Sequence, residues 1–283
     1  MKVSYYPGCS LEGTARDYRE SLESVAAKLE IHLQELEDWN CCGATAAHSI
    51  DDVAALILPG RNLVIAEQAG LDLVVPCALC FNRLKTAEKA FLQGKMPRSD
   101  FSFTGKIKVW DLLDFFAQPW MLPEIRARVT APLIGLEPVC YYGCVANRPP
   151  KVTDAAQPEN PQNMDVLLTT LGARVIDWPH KTDCCGASHA VARPDIVFQL
   201  VHRLYQRALR AGANCIVVSC QMCQANLDMY QEHIGRLFGA SYYLPIFYFT
   251  ELMGLAMGLR EVGFWLARHM VDPQPLLARA KLL

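Results

Sequence analysis

Asn40–His48 reads NCCGATAAH, and Asp183–Val191 reads DCCGASHAV. Each stretch sets two adjacent cysteines before a glycine, and each is the middle of a longer pattern. Upstream stand YYPGC (Tyr5–Cys9) and CYYGC (Cys140–Cys144); downstream stand LVVPCALC (Leu73–Cys80) and IVVSCQMC (Ile216–Cys223). Cys41, Cys42, Cys77 and Cys80 recur 143 positions later as Cys184, Cys185, Cys220 and Cys223, and Cys9 recurs 135 positions later as Cys144. A repeat this long is a duplicated domain, since solenoid units run to roughly 20–50 residues. The extra length of the second half falls in PPKVTDAAQPENPQN (Pro149–Asn163), a loop by its Pro/Asn content. A fainter echo links VWDLLDFFA (Val109–Ala117) to YFTELMGLA (Tyr248–Ala256).

Around these motifs, strand runs alternate with helical ones. Lys2–Tyr6 is a strand before a Pro-Gly turn, Ala15–Glu30 an amphipathic helix, and Val53–Gln68 a helix open to a break at Pro59–Gly60. Leu71–Val75 is a buried strand run ending on Pro76, and Asn82–Leu92 is helical. The second half repeats the theme: helix Met164–Leu171, strand Arg174–Trp178, helix Asp195–Ala211, strand Cys215–Val218, helix Met222–Leu237. This order predicts an α/β fold of two pseudo-symmetric, Rossmann-like cysteine-rich repeats with parallel sheets. The expected division is 1–125 and 126–283, the second with a C-terminal extension, in the proline-bearing stretch Pro119–Pro132. The cysteines fall at strand ends, where open parallel sheets gather ligands.

A chain of 283 residues with 52% hydrophobic content can build a full core. A net charge of −2 gives no basic surface for a polyanion, so no nucleic-acid partner is expected. The N-terminus lacks a secretory pattern. The longest apolar stretch, Leu244–Leu259, carries Glu251 and falls short of the roughly 20 residues of a membrane span, so a cytoplasmic protein without a span is expected. In that reducing compartment, 12 cysteines point to metal rather than disulfides. No G-x-G-x-x-G or G-x-x-x-x-G-K-[ST] occurs, so nothing signals a dinucleotide or phosphate site.

The halves read C-x31-C-C-x34-C-x2-C and C-x39-C-C-x34-C-x2-C. A C-x2-C pair alone suits zinc, a redox dithiol or an iron–sulfur cluster. The adjacent pair discriminates: neighbouring side chains diverge, so two such thiolates grip one small ion poorly but can each meet a different iron. Zinc and a cubane [4Fe–4S] cluster both take four ligands, whereas five thiols recur here. Either one per half is idle, or a thiolate bridges in a cluster that is not a simple cubane. Iron–sulfur binding is the reading, with Cys9, Cys41, Cys42, Cys77 and Cys80 as one ligand set and Cys144, Cys184, Cys185, Cys220 and Cys223 as the other. Gly43 and Gly186 supply a tight turn and backbone room beside a bulky cluster. Cys140 and Cys215 have no repeat partner and read as small buried residues. His48 and His189 sit at unequal offsets from the C-C-G turns, so neither they nor His180 reads as a ligand. No ferredoxin-type C-x2-C-x2-C-x3-C run is present, so electrons are expected to come from, or go to, another protein.

These residues resemble the cysteine-rich CCG domain family. The whole chain, from about residue 3 to about 259, resembles the B-type subunits of heterodisulfide reductase and related subunits of bacterial sulfur metabolism. The likeness rests on YYPGCS, both C-C-G turns, both C-x2-C pairs and PIFYFTELMGLAMGL (Pro245–Leu259). It implies two α/β halves, each holding a noncubane [4Fe–4S] cluster on the five cysteines named. It also implies a disulfide oxidoreductase subunit that cleaves or forms a disulfide between the clusters, in a complex with a small cubane iron–sulfur subunit and a larger flavin-bearing one. The spacing from C-C-G to C-x2-C is slightly short for the family, and Cys140 replaces a non-cysteine. The alternative is a non-catalytic electron-transfer iron–sulfur subunit of the lactate/glycolate-oxidising type. A zinc-stabilised interaction protein is disfavoured by five ligands per half.

Overall fold

Two all-parallel sheets organise the chain in the computed structural model, which describes residues 1–97 and 100–283. The first sheet has the order β2 (His32–Glu35), β1 (Lys2–Tyr5), β3 (Leu73–Val75), β4 (Val109–Asp111). The second has the order β5 (Pro138–Tyr141), β6 (Cys215–Val218), β7 (Ile246–Tyr248). The shared core of the repeat is β1-β3-β4 against β5-β6-β7, with Tyr5 opposite Val74 and Val74 opposite Trp110 in one half, and Cys140 opposite Val217 and Val217 opposite Phe247 in the other. The faint echo between Val109–Ala117 and Tyr248–Ala256 is thus real: each segment is a last strand running straight into a helix, Leu112–Phe116 or Phe249–Ala256. Every residue of β3 and β6 is buried, as expected of parallel strands covered on both faces and written in continuous apolar runs.

Helices Arg16–Lys28, Ala54–Ala69 and Ala78–Leu92 serve the first half, and Asn163–Thr170, Pro194–Ala211, Gln221–Met229 and Gln231–Phe238 the second. The sequence reading names no strand at β2, β4, β5 or β7, and further details depart from it. Arg174–Trp178 is not a strand. Arg174 N–H bonds Leu136 O at 3.0 Å and Ile176 N–H bonds Pro138 O at 2.8 Å, but the return bond of a parallel bridge would come from residue 138, and proline has no N–H to give. At the equivalent place Val3 pairs with Leu33, and the first sheet gains β2, an edge strand the sequence reading missed. The Ala54–Ala69 helix runs unbroken through Pro59–Gly60; a Cβ on Gly60 would stand 2.5 Å from Met96 and 3.2 Å from Phe91. Met222–Leu237 is two helices meeting at Tyr230.

The halves share one large core. The Arg16–Lys28 helix packs on Phe249–Ala256 and Val262–Leu266, and Tyr18 stacks flat on Tyr248 with ring centroids 4.3 Å apart. Ser21 and Thr250 hydroxyls meet at 2.7 Å in the same buried seam. A smaller core, with Leu63, Leu84 and Phe103, covers the other face of the first sheet. The division of the halves at 125/126, which we retain as a proposal, lies in the connection between β4 and β5. No helix among the described residues is long and apolar enough to cross a membrane.

Candidate metal centres

In the first half the five thiols converge from three strand ends. Cys9 follows β1 across Pro7–Gly8; Cys77 follows β3 and caps the Ala78–Leu92 helix, where its sulfur accepts the Cys80 N–H at 3.4 Å. That helix begins four residues before the expected Asn82 because Cys77 serves as its cap. Cys41 and Cys42 lie on the loop after β2. Their turn is pinned at Asn40: the buried Tyr6 phenol donates to Asn40 O at 2.8 Å, and the Asn62 side chain bonds both Asn40 N–H and Asn40 O. Gly43 N–H donates to Cys41 Sγ at 3.4 Å. The Cys42 and Cys80 sulfurs lie 3.3 Å apart, and Cys9 meets Cys41. Gly8 adopts φ +71°, and a Cβ there would lie 2.9 Å from Cys80 Sγ.

The second half repeats this construction. The Tyr141 phenol donates to Asp183 O at 2.6 Å, and Gly186 N–H donates to Cys184 Sγ at 3.3 Å. The Cys185 and Cys223 sulfurs lie 3.7 Å apart, Cys144 meets Cys184, and Cys220 meets Cys223. Gly143 has φ +68°, with a Cβ position 3.0 Å from Cys223 Sγ. The structure therefore brings together each set of five cysteines that the sequence grouped.

The thiols within each set share protons. Hydrogen bonding to Cys80 lowers Cys42 and brings Cys77 down to about 7, while the same contacts and burial push Cys80 up. Contact with Cys144, together with Gly186 N–H and the charge of His189, brings Cys184 down to about 6; Cys223 lowers Cys185, and Cys144 and Cys223 move up. Pairs of one thiolate and one thiol are primed to lose the remaining proton to a metal. Mononuclear zinc, with Zn–S near 2.3 Å, needs about 3.8 Å between every pair of its sulfurs. Among the described residues the one trio of His, Cys, Asp or Glu side chains with all ligand atoms within 4.8 Å is Asp17, Glu251 and His269, so no three sulfurs draw that close. Five spread sulfurs beside a bare glycine fit a larger cluster better than one ion.

Cys140 and Cys215 lie on β5 and β6, fully buried and outside both sets, and burial pushes both thiols up. His48 is exposed on the short Ala47–Ile50 helix, and His180 bonds Asp183 at 2.8 Å. Sequence reasoning missed the residues that join the sites. The Tyr18 hydroxyl lies 3.4 Å from Pro76 O and 3.1 Å from Ser219 O, the residues just before Cys77 and Cys220. Gln221 Nε2 donates to Cys77 Sγ at 2.8 Å across the boundary of the halves. Nothing in their local sequence marks them, whereas the paired Tyr6 and Tyr141 were visible in the repeat.

A duplicated α/β fold with two such thiol sets defines a class, and comparison agrees: the chain belongs to the cysteine-rich CCG domain family, whose model matches residues 3–85 and 139–228. Its relatives extend over nearly the full length. It is 29% identical over 282 residues to the 8-methylmenaquinol:fumarate reductase membrane anchor subunit of Wolinella succinogenes, covering 97% of this chain and 99% of that one. It is 27% identical over 292 residues to the B-type subunit of the ferredoxin/F(420)H(2)-dependent CoB-CoM heterodisulfide reductase of Methanosarcina acetivorans, covering 98% and 96%. A protein of Archaeoglobus profundus described as like the B-type heterodisulfide reductase subunit is 24% identical, with 91% of each chain covered. Among solved structures, a hypothetical protein from Helicobacter pylori shares the fold with a TM-score of 0.72 at 10% identity; 95% of this chain is covered, and the chain spans about half (52%) of that one.

Proposed function

We propose that this chain is a two-cluster iron–sulfur subunit of a multi-subunit disulfide oxidoreductase. Cys9, Cys41, Cys42, Cys77 and Cys80 hold one noncubane [4Fe–4S] cluster, and Cys144, Cys184, Cys185, Cys220 and Cys223 hold the other. The observation that carries the reading is the double occurrence of one construction: five thiols, a tyrosine bonded to the peptide before the cysteine pair, and a glycine whose missing Cβ leaves room beside the C-x2-C sulfur. The relatives named as heterodisulfide reductase subunits support the disulfide, formed or reduced, as the substrate class. Such clusters, when bound, supply one-electron redox steps and irons able to take up a sulfur. The protein's own side chains do the rest. Tyr6, Tyr141 and Asn62 hold the cysteine pairs in place, and Tyr18 sets the two C-x2-C turns at a fixed distance. Cys9, Cys41 and Cys184 are exposed, so each set has a side open to substrate or partner. A cytoplasmic location, and a small cubane iron–sulfur partner with a larger flavin-bearing one, complete the proposal.

The test is disulfide-dependent oxidation of a reduced dye by anaerobically prepared protein. Cys42→Ala and Cys185→Ala should each retain roughly half the iron and lose nearly all turnover, because both sulfurs of the disulfide need a site. Full turnover in either variant overturns paired action.

A second reading, electron relay alone, is favoured by the likeness to a fumarate reductase membrane anchor subunit, whose name carries no disulfide, and by the Tyr18 and Gln221 hydrogen bonds that link the two C-x2-C turns. Under it, the parent protein exchanges electrons with dyes but shows no disulfide dependence.

A further inference from the structure

The repeat invites the assumption that its two sites are alike, but two repeat-equivalent positions break the symmetry in the same sense. Gln221 follows Cys220, and its counterpart after Cys77 is Ala78. Gln221 reaches out of its own half and donates to Cys77 Sγ at 2.8 Å. Cys77 therefore accepts two N–H donors, Gln221 Nε2 and Cys80 N, whereas the Cys220 side chain makes no cap bond to its helix, and an alanine cannot donate across the boundary as Gln221 does. The second position is Arg83, the counterpart of Asn226. Arg83 is partly buried and its positive charge interacts with Cys42; Asn226, neutral, donates only a long hydrogen bond of 3.7 Å from Nδ2 to the equivalent Cys185 sulfur, so the second site has a weak neutral donor where the first has a full charge. Arg83 is held by Asn82 Oδ1 at 2.8 Å, and Asn82 in turn bonds Val145 O and Arg148 O of the other half, each at 3.0 Å.

Other charges do not cancel this difference. Asp111 interacts with Cys77, but burial pushes its carboxyl well up, which opposes its carrying negative charge there. Beside Cys184, His189 and Asp183 act with opposite sign at the surface.

We propose that the two cluster sites are electrically inequivalent, and that Gln221 and Arg83 act as positioning residues that make the first site the stronger electron acceptor. The inference rests on the cluster reading above. Reduction adds negative charge that spreads onto the ligand sulfurs. A donor on Cys77 and a cation near Cys42 stabilise the reduced form more than the oxidised one, which raises the reduction potential. Electrons arriving from a partner then settle on the first site before the second.

The experiment uses the full chain prepared anaerobically, with iron and acid-labile sulfide measured first; a parent protein lacking both overturns the cluster reading itself. With clusters present, a redox titration followed by electron paramagnetic resonance resolves two couples. The higher one should vanish in Cys42→Ala and survive in Cys185→Ala. Gln221→Met, which keeps the bulk and removes the donor, should lower that couple by about a tenfold change in its one-electron equilibrium, about 59 mV, and leave the other in place. Arg83→Asn should lower the same couple, and it decides the matter if Gln221→Met sheds iron. Loss of the higher couple in Cys185→Ala, or a shift confined to the lower couple, overturns the proposal, as does an unmoved pair of couples.

Discussion

Gly8→Ala is the perturbation whose cost the structure defines most closely. Gly8 has φ +71° and ψ 164°, a region open essentially to glycine alone, where another residue is strained by about 1–3 kcal/mol. Its new Cβ would lie 2.9 Å from Cys80 Sγ, so that sulfur has to move. Cys80 is buried, with Cys42 Sγ already 3.3 Å away, so the movement falls on the ligand geometry itself. The strain alone lowers the melting temperature by about 2–12 °C, at about 2–4 °C per kcal/mol for a chain of this size. The diagnostic assay is iron per chain in anaerobically prepared protein. Gly8→Ala should fall to about half the parent value through loss of the first site alone, and Gly143→Ala should mirror it in the second, where the Cβ would meet Cys223 Sγ at 3.0 Å. Gly70→Ala is the control: it has φ +70° and nothing within 4 Å, so it carries backbone strain without a sulfur to displace and should keep its iron. Full iron in Gly8→Ala would refute the idea that this glycine is required by the bulk beside it.

Two further outcomes follow from the burial of particular side chains. Cys140→Ser and Cys215→Ser should leave iron content unchanged, since both side chains are buried in strands away from the thiol sets; loss of about half the iron in Cys140→Ser would show that the second site uses it. Burial and the nearby Glu251 raise Asp17 from 3.8 to about 6. Between those values the folded protein holds a proton that the unfolded chain has released, so stability falls as pH rises through the window and the loss is complete above it, reaching at most about 3 kcal/mol. Asp17→Asn keeps an acceptor for Tyr18 N–H and removes that loss. Its stability should match the parent near pH 4 and exceed it by up to about 3 kcal/mol at pH 8 in denaturant titrations, and a gain independent of pH would contradict the assignment.

Much of this architecture was legible because the duplication wrote it twice. Strands β1, β3 and β6 and the helices after them were readable as apolar runs and helical periodicities set off by proline or glycine, and the ten cysteines of the two sets declared themselves by recurring at matched spacing. What escaped was set by long-range context. The edge strand β2 reads HLQE, which carries no apolar signature, while Arg174–Trp178 looks like a strand and fails because its would-be partner is Pro138. The start of the Ala78–Leu92 helix was placed late because Cys77, which caps it, was weighed only as a ligand. Tyr18, 58 residues from Pro76 and 201 from Ser219, and Gln221, 144 from Cys77, act across distances that no local pattern records.

The central claim, that ten cysteines hold two iron–sulfur clusters, is tested most directly by iron, zinc and acid-labile sulfide analysis of the intact protein prepared without oxygen. The account predicts about eight irons and about eight sulfides per chain, with no stoichiometric zinc. Zinc in whole-number ratio without labile sulfide would contradict it.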